Sequence, residues 1–324
     1  MGILFMKDQY NRQINYLRIS VTDRCNLRCN YCMPQEGIKL VPMDEILTYE
    51  EINVICEIAA KNGITDIRIT GGEPLVRNQL YKLIGMIKEI PGIKNIGITT
   101  NGVLLAEHID ELVQNGLTRV NISLDTLDPQ KYIQITRRDY FSQVMYGIKA
   151  AINSGIKVKI NSVLTDLSEV DKLISLAKED EIDIRFIELM PIGMGKSLTG
   201  VSNESILNFL QSKYSELAVD SMRHGSGPAI YYKIAGFKGS IGLISPIHSK
   251  FCDSCNRVRL SATGKIKSCL CYANDYDLRP PLREGKLQLV EDIFKEAVYN
   301  KPKSHCFEDE MSITESANMV SIGG

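Results

Sequence analysis

A helix that ends on Asn-Gly or Ser-Gly and runs at once into a β-branched strand recurs along the first two-thirds of the chain. Lys61-Asn-Gly63 precedes Ile64–Thr70, Gln114-Asn-Gly116 precedes a strand near 118–124, and Asn153-Ser-Gly155 precedes one near 156–163. Glycine just past a helix end supplies the left-handed cap that lets the chain turn back. Thr48-Tyr-Glu-Glu51 is a capping box, and Ile52, Ile55, Cys56 and Ala59 after it form one apolar helical stripe. Six strands are expected, at 16–21, 64–70, 95–100, 118–124, 156–163 and 183–189, with helices between them. Alternating β and α units build a parallel sheet with helices outside. Six units fall short of the eight that close a TIM barrel, so the expectation is α/β with an incomplete (β/α)6 TIM-type barrel; a doubly wound open sheet is the alternative. The pattern weakens after Gly193, and 324 residues suit two domains. The boundary is placed between 1–222 and 223–324, the second part being α+β.

The strands carry polar residues between apolar ones: Arg18, Arg68, Asn121 with Ser123, Lys159 and Arg185. Side chains alternate between the faces of a strand. The outer face must be apolar to receive helices, so parity sends the cations into the barrel. Buried unpaired cations are costly, which predicts an open lumen holding an anion; pairing with buried carboxylates is the structural alternative. Thr99-Thr-Asn-Gly102, Ser123-Leu-Asp125 and Glu188-Leu-Met-Pro191 fall at carboxyl ends of strands, the rim where barrel enzymes place their chemistry. Lys+Arg is 38 against 39 Asp+Glu. A nucleic-acid coat and a polybasic membrane anchor are therefore not expected. No apolar run is long enough to span a membrane, and the expected location is the cytoplasm.

Nine cysteines in a reducing compartment point to metal or iron–sulfur ligation rather than disulfides. Cys25, Cys29 and Cys32 form C-x3-C-x2-C after the first strand. Three thiolates can hold three irons of a 4Fe-4S cube and leave the fourth open; a zinc site lacking one ligand is the other reading. Cys252, Cys255 and Cys269 form C-x2-C-x13-C, with Cys271 one residue further. That set suits either four-thiolate zinc or a second open cube. Arg257 and Arg259 share one face of the extended segment between them, and the guanidinium fork suits phosphate.

Tyr31 before the last cysteine of the first set and Gly71-Gly-Glu-Pro74 after the second strand resemble the radical S-adenosylmethionine (SAM) superfamily. Phe251-Cys-x2-Cys-Asn-Arg-Val-Arg-Leu260, Cys269 and a terminal Gly-Gly narrow the resemblance to the GTP 3′,8-cyclase family of molybdenum cofactor biosynthesis. The resemblance implies a C-terminal region that covers the open face of the barrel. It implies two 4Fe-4S clusters, one held by Cys25, Cys29 and Cys32 and the other by Cys252, Cys255 and Cys269. Tyr31, Gly72, Ser123 and Met190 would contact SAM. Arg18, Arg68, Thr99, Lys159, Arg257 and Arg259 would contact GTP, with Arg185 as a supporting cation. Gly323, Gly324 and Arg257 would assist the radical chemistry, in which the ribose C3′ of GTP loses a hydrogen and joins guanine C8. The implied partners are a flavodoxin- or ferredoxin-type electron donor, a downstream cyclic pyranopterin monophosphate synthase and a second copy of the chain as a homodimer. Two features depart from the family: Asp66 stands where relatives often carry a basic residue, and Cys271 is an additional thiol beside the second set.

Overall fold

The computed structural model describes residues 6–222 and 224–323. Its helices begin and end where the local chemistry directs. The Glu51 N–H donates to Thr48 Oγ1 (3.1 Å) and the Thr48 N–H to Glu51 Oε2 (2.8 Å). This reciprocal pair starts α1, Tyr49–Lys61, and Gly63 follows it at φ 94°. Strands β1 (Tyr16–Ser20), β2 (Asp66–Thr70), β3 (Asn95–Thr100), β4 (Arg119–Ser123), β5 (Lys157–Ser162) and β6 (Asp183–Ile187) lie side by side in sequence order, every pair parallel. Helix α1 leads into β2, and α2 (Leu80–Lys88) and α3 (Leu105–Gln114) into the next two strands. Next come α4 (Pro129–Thr136) and α5 (Phe141–Asn153), then α6 (Glu169–Ile174) and α7 (Leu176–Glu179). Leu17, Ile19, Ile67, Ile69, Ile98, Ile122, Ile160 and Phe186 face outward and form one buried core with Ile55, Leu83, Leu112 and Ile148 of the helices. Burying each such side chain contributes about 1.5–3 kcal/mol.

After α8 (Asn203–Lys213) the chain does more than cover an open face: it lengthens the sheet at both edges. Strands β7 (Ala218–Val219) and β8 (Ile230–Lys233) lead to β9 (Ile241–Ile244), which lies parallel to β6. Strand β10 (Arg257–Leu260) crosses to the other edge and lies parallel to β1, followed by antiparallel β11 (Lys265–Lys267) and β12 (Asp275–Asp277). The sheet is continuous from β12 to β7 and is not closed. The β7–β8 hairpin spans the boundary expected at 222/223. Helices α9 (Arg279–Arg283) and α10 (Leu287–Tyr299) precede a tail that packs in a second, smaller apolar cluster with Ile192, Leu270, Phe307, Ile313 and Ile322. Among the described residues no helix is long and apolar enough to cross a membrane.

Candidate active site

Strand registers bring the inward residues together. Arg18 on β1 stands level with Arg68 on β2 and with Arg259 on β10, while Asn121 on β4 stands level with Lys159 on β5. The lumen is a cavity of about 370 Å³. Both cysteine sets open on it: Cys25, Cys29 and Cys32 line it together with Cys252, Cys255 and Cys269. Tyr31, Gly72, Ser123, Met190, Arg18, Thr99, Arg185, Arg257 and Arg259 line the same space.

Arg68 and Lys159 lie behind this lining. Arg68 Nε donates to Tyr16 Oη (3.1 Å) and its Nη1 to the Ile98 carbonyl (2.9 Å). Gly97 leaves the space for it, since a Cβ there would sit 2.4 Å from Arg68 Nη1. Lys159 is paired: its ammonium meets Asp183 at 2.7 Å, the His224 carbonyl and Tyr231 Oη. Burial and the nearby Arg185 still bring it down to about 8. Asp66 does not line the cavity; it accepts from Asn95 and Ser226 and faces Arg119 at 4.0 Å.

The first cysteine loop leaves β1 and is pinned on three sides. The Gly72 N–H donates to the Thr22 carbonyl and the Glu73 N–H to the Arg24 carbonyl, both at 2.8 Å. The approach is so close that a Cβ on Gly72 would lie 2.3 Å from the Arg24 carbonyl oxygen. Tyr31 Oη donates to Asp125 Oδ2 (2.8 Å) at the end of β4. Glu73 turns inward to accept from Thr100 Oγ1 (2.7 Å) and the Asn101 N–H (2.6 Å); burial outweighs those donors and raises its carboxyl to about 7. Burial also lifts the Cys25 thiol to about 11, with Glu73 adding to the rise, and the Cys32 thiol to about 12.

The second cysteine set lies among cations. Burial raises Cys252 and Cys269, but Cys255 is held below the usual thiol range because Lys301 and Arg257 outweigh its burial. Lys301 is buried and donates to the carbonyls of Arg257 and Ser268. Arg12, also buried, pairs with Asp8 at 2.5 Å and donates to the carbonyls of Cys252 (2.8 Å), Pro302 (2.6 Å) and Lys303 (2.7 Å). The tail returns to the lumen: the Gly323 carbonyl accepts from Arg18 Nε (2.9 Å) and Arg259 Nη1 (3.0 Å). Gly324 is outside the described residues.

Tyr16, Arg12 and Lys301 carry no sequence signal, because each acts through partners distant in the chain. Tyr16 lines the cavity among arginines. Burial raises its phenol, but Arg68, Arg18 and Arg257 together outweigh that and bring it down to about 8.

The residues fit the two clusters and an anionic ligand. Thr99 Oγ1, Asn161 Oδ1 and Arg185 Nε are buried against the lumen without a hydrogen-bond partner, and such atoms cost free energy until a ligand meets them. Burial, then Arg259, pushes Arg18 well below its usual range, as like charges sharing a buried space do. Among the described residues no three Cys, His or acidic side chains converge as ligands of one ion. Three thiols in each set suit a cube, which meets each thiolate at a separate iron.

Known proteins agree with this geometry. The Radical SAM superfamily profile matches residues 19–177 and the Molybdenum Cofactor Synthesis C profile residues 182–307. The chain is 43% identical over 323 residues to the GTP 3′,8-cyclase of Clostridium perfringens (98% of this chain, 100% of the relative). It is 45% identical over 325 residues to that of Peptoclostridium acidaminophilum, covering 98% of each. Among solved structures, Streptococcus suis SuiB bound to S-adenosylmethionine superposes with a TM-score of 0.64 at 14% identity, over 95% of this chain and 78% of SuiB. That likeness establishes the fold alone. Full-length identity, two matching profiles and two cysteine sets facing one cation-lined cavity place this chain in the GTP 3′,8-cyclase family of radical SAM enzymes.

Proposed function

We propose that the cavity binds SAM and GTP together, between two 4Fe-4S clusters, and that the chain converts GTP to 3′,8-cyclo-7,8-dihydro-GTP. The observation that carries this reading is the shared lumen: both cysteine sets open on it and arginines line the space between them. Cys25, Cys29 and Cys32 would hold the cluster that SAM joins, and Cys252, Cys255 and Cys269 the cluster that meets guanine. When bound, SAM and its cluster supply the 5′-deoxyadenosyl radical that takes the C3′ hydrogen of GTP.

The chain's own residues orient and shield. Tyr31, tied to Asp125, fixes the first cysteine loop, and Gly72, Ser123 and Met190 line the SAM end. Arg18, Arg257, Arg259, Thr99 and Arg185 face the nucleotide, while Arg68 and Lys159 support that wall from behind with charge. The tail carbonyl held by Arg18 and Arg259 helps close the lumen against water, which a carbon radical requires. We place Gly323 and Arg257 beside the reacting sugar. A flavodoxin- or ferredoxin-type donor would supply the electron, a cyclic pyranopterin monophosphate synthase would take the product, and a homodimer is the proposed assembly. We assign the reaction to the cytoplasm, where the cysteines stay reduced.

Anaerobic protein reconstituted with iron and sulfide, then given SAM, dithionite and GTP, is expected to release 5′-deoxyadenosine and a cyclised nucleotide of the mass of GTP. SAM cleavage that ignores GTP and proceeds equally with a peptide would make the chain a peptide-modifying enzyme instead.

Arg257→Ala is expected to weaken GTP binding about 10- to 100-fold, the loss of one charge-assisted hydrogen bond, and to leave SAM binding nearly intact. Calorimetry with each ligand separates the two, and an equal loss of both would make Arg257 structural. Tyr16 gives the site a pH dependence. Its phenol loses a proton near pH 8, against 10 in an ordinary tyrosine. The ligand-free fold therefore gains stability as pH rises from 8 towards 10, where the unfolded chain still holds that proton. The phenolate also occupies the cations that a triphosphate needs. GTP affinity should fall as pH rises through 8, and Tyr16→Phe should flatten that fall; an unchanged profile in the variant would remove Tyr16 from the site.

A further inference from the structure

Two cysteines outside both sets are brought together by the fold. Cys271 is fully buried, and its Sγ lies 2.7 Å from Cys306 Sγ, although 35 positions separate them. The Cys306 N–H donates to Cys271 Sγ (3.2 Å), and Cys306 Sγ donates to the Ser312 carbonyl (3.1 Å). Neither sulfur lines the cavity. The pair sits in the smaller apolar cluster with Leu270, Phe307 and Ile313. The remaining cysteine, Cys56, is buried alone on α1.

The position of the pair gives it leverage. Cys271 is two residues from Cys269, a member of the second set, and Cys306 lies between His305 and Phe307, both of which line the cavity. A bond between them would join the segment carrying one cluster ligand to a second segment that lines the same cavity. Thiols this close need little movement to reach the bonded separation of about 2.05 Å.

We propose that Cys271 and Cys306 form a disulfide-exchange site that takes a small-molecule disulfide of the glutathione class as its oxidant. Cys306, the more exposed sulfur, attacks the glutathione disulfide and releases one glutathione thiolate. The Cys271 sulfur then displaces the second glutathione from the mixed disulfide. Two protein thiols lose two electrons and two protons, one S–S bond forms in the protein, and the glutathione disulfide becomes two thiols. In a reducing compartment such a bond is transient and reports oxidation. The proposal stands apart from the reaction assigned to the lumen and concerns only the wall behind it.

The test uses the cluster-loaded enzyme under anaerobic conditions, treated with glutathione disulfide and then alkylated. Wild type is expected to lose two hydrogens in intact mass, to yield a crosslinked 271–306 peptide in a non-reducing digest, and to keep its iron. Cys306→Ser should show neither change, and Cys271→Ser should stop at the mixed disulfide on Cys306 while retaining wild-type iron. Cys306→Ala guards against a folding defect in the serine variant and should behave like it. A crosslink that involves the cluster cysteines, a wild-type mixed disulfide that never closes, or iron lost from Cys271→Ser would each overturn the proposal.

Discussion

Arg12→Ala is expected to remove the iron of the second cluster while the first stays loaded, halving the iron per chain. The guanidinium holds the Cys252 carbonyl together with those of residues 301–303, tying the Cys252 turn to that stretch, and pairs with buried Asp8. Removing one partner of a buried pair costs about 3–5 kcal/mol, because the other charge stays behind unpaired. The loss falls on the loop that positions Cys252 and on the Lys301 neighbourhood that lowers Cys255. The first cysteine loop touches none of these groups, so SAM binding should persist. Arg12→Lys keeps the charge but lacks the fork, and should recover only part of the iron. Iron analysis with a spectroscopic count of each cluster checks this. A fully loaded second cluster at unchanged Tm would remove Arg12 from the support of that cluster.

Gly72→Ala should lower SAM cleavage by about 100-fold or more, the penalty for an ångström-scale misplacement of reacting groups. The new Cβ would stand 2.3 Å from the Arg24 carbonyl oxygen and 2.9 Å from that of Asp23. Those atoms are backbone, so no side chain can swing aside. Overpacking of this kind costs about 1–3 kcal/mol or more, and the strain is relieved by moving residues 23–24, directly before Cys25. The second cluster and the sheet should be untouched. The rate of 5′-deoxyadenosine release measures the effect; wild-type cleavage by the variant would show that the loop does not depend on this approach.

How far the sequence could be read depended on how local the determining interaction was. The capping box at Thr48, the glycines after α1, α3 and α5 and the three thiols within one loop are set by neighbours a few residues away, and each is visible as a spacing. Strand parity also sufficed to turn Arg18, Arg68, Lys159 and Arg185 inward. Parity says nothing about depth, so it did not separate Arg18, on the cavity wall, from Arg68, behind it and bonded to Tyr16. Nor did it reveal Asp183 beneath Lys159, because that pairing depends on the register between neighbouring strands. Arg12 and Lys301 were illegible for a related reason: they bond backbone carbonyls of other segments, which leave no pattern in the residues around them. The extension of both sheet edges by β9 and β10 joins segments hundreds of positions apart or across a connection, and strand propensity does not specify pairing at that range.

That extension has a consequence for biogenesis. Strand β1 leaves the ribosome long before its outer neighbour, Arg257–Leu260. Between the emergence of β6 and that of β9 the nascent barrel presents two raw strand edges, β1 and β6, each an invitation to intermolecular pairing. Fragments ending near residue 222 should therefore precipitate, and chaperone demand should drop only once the latecomer strands seal both sides.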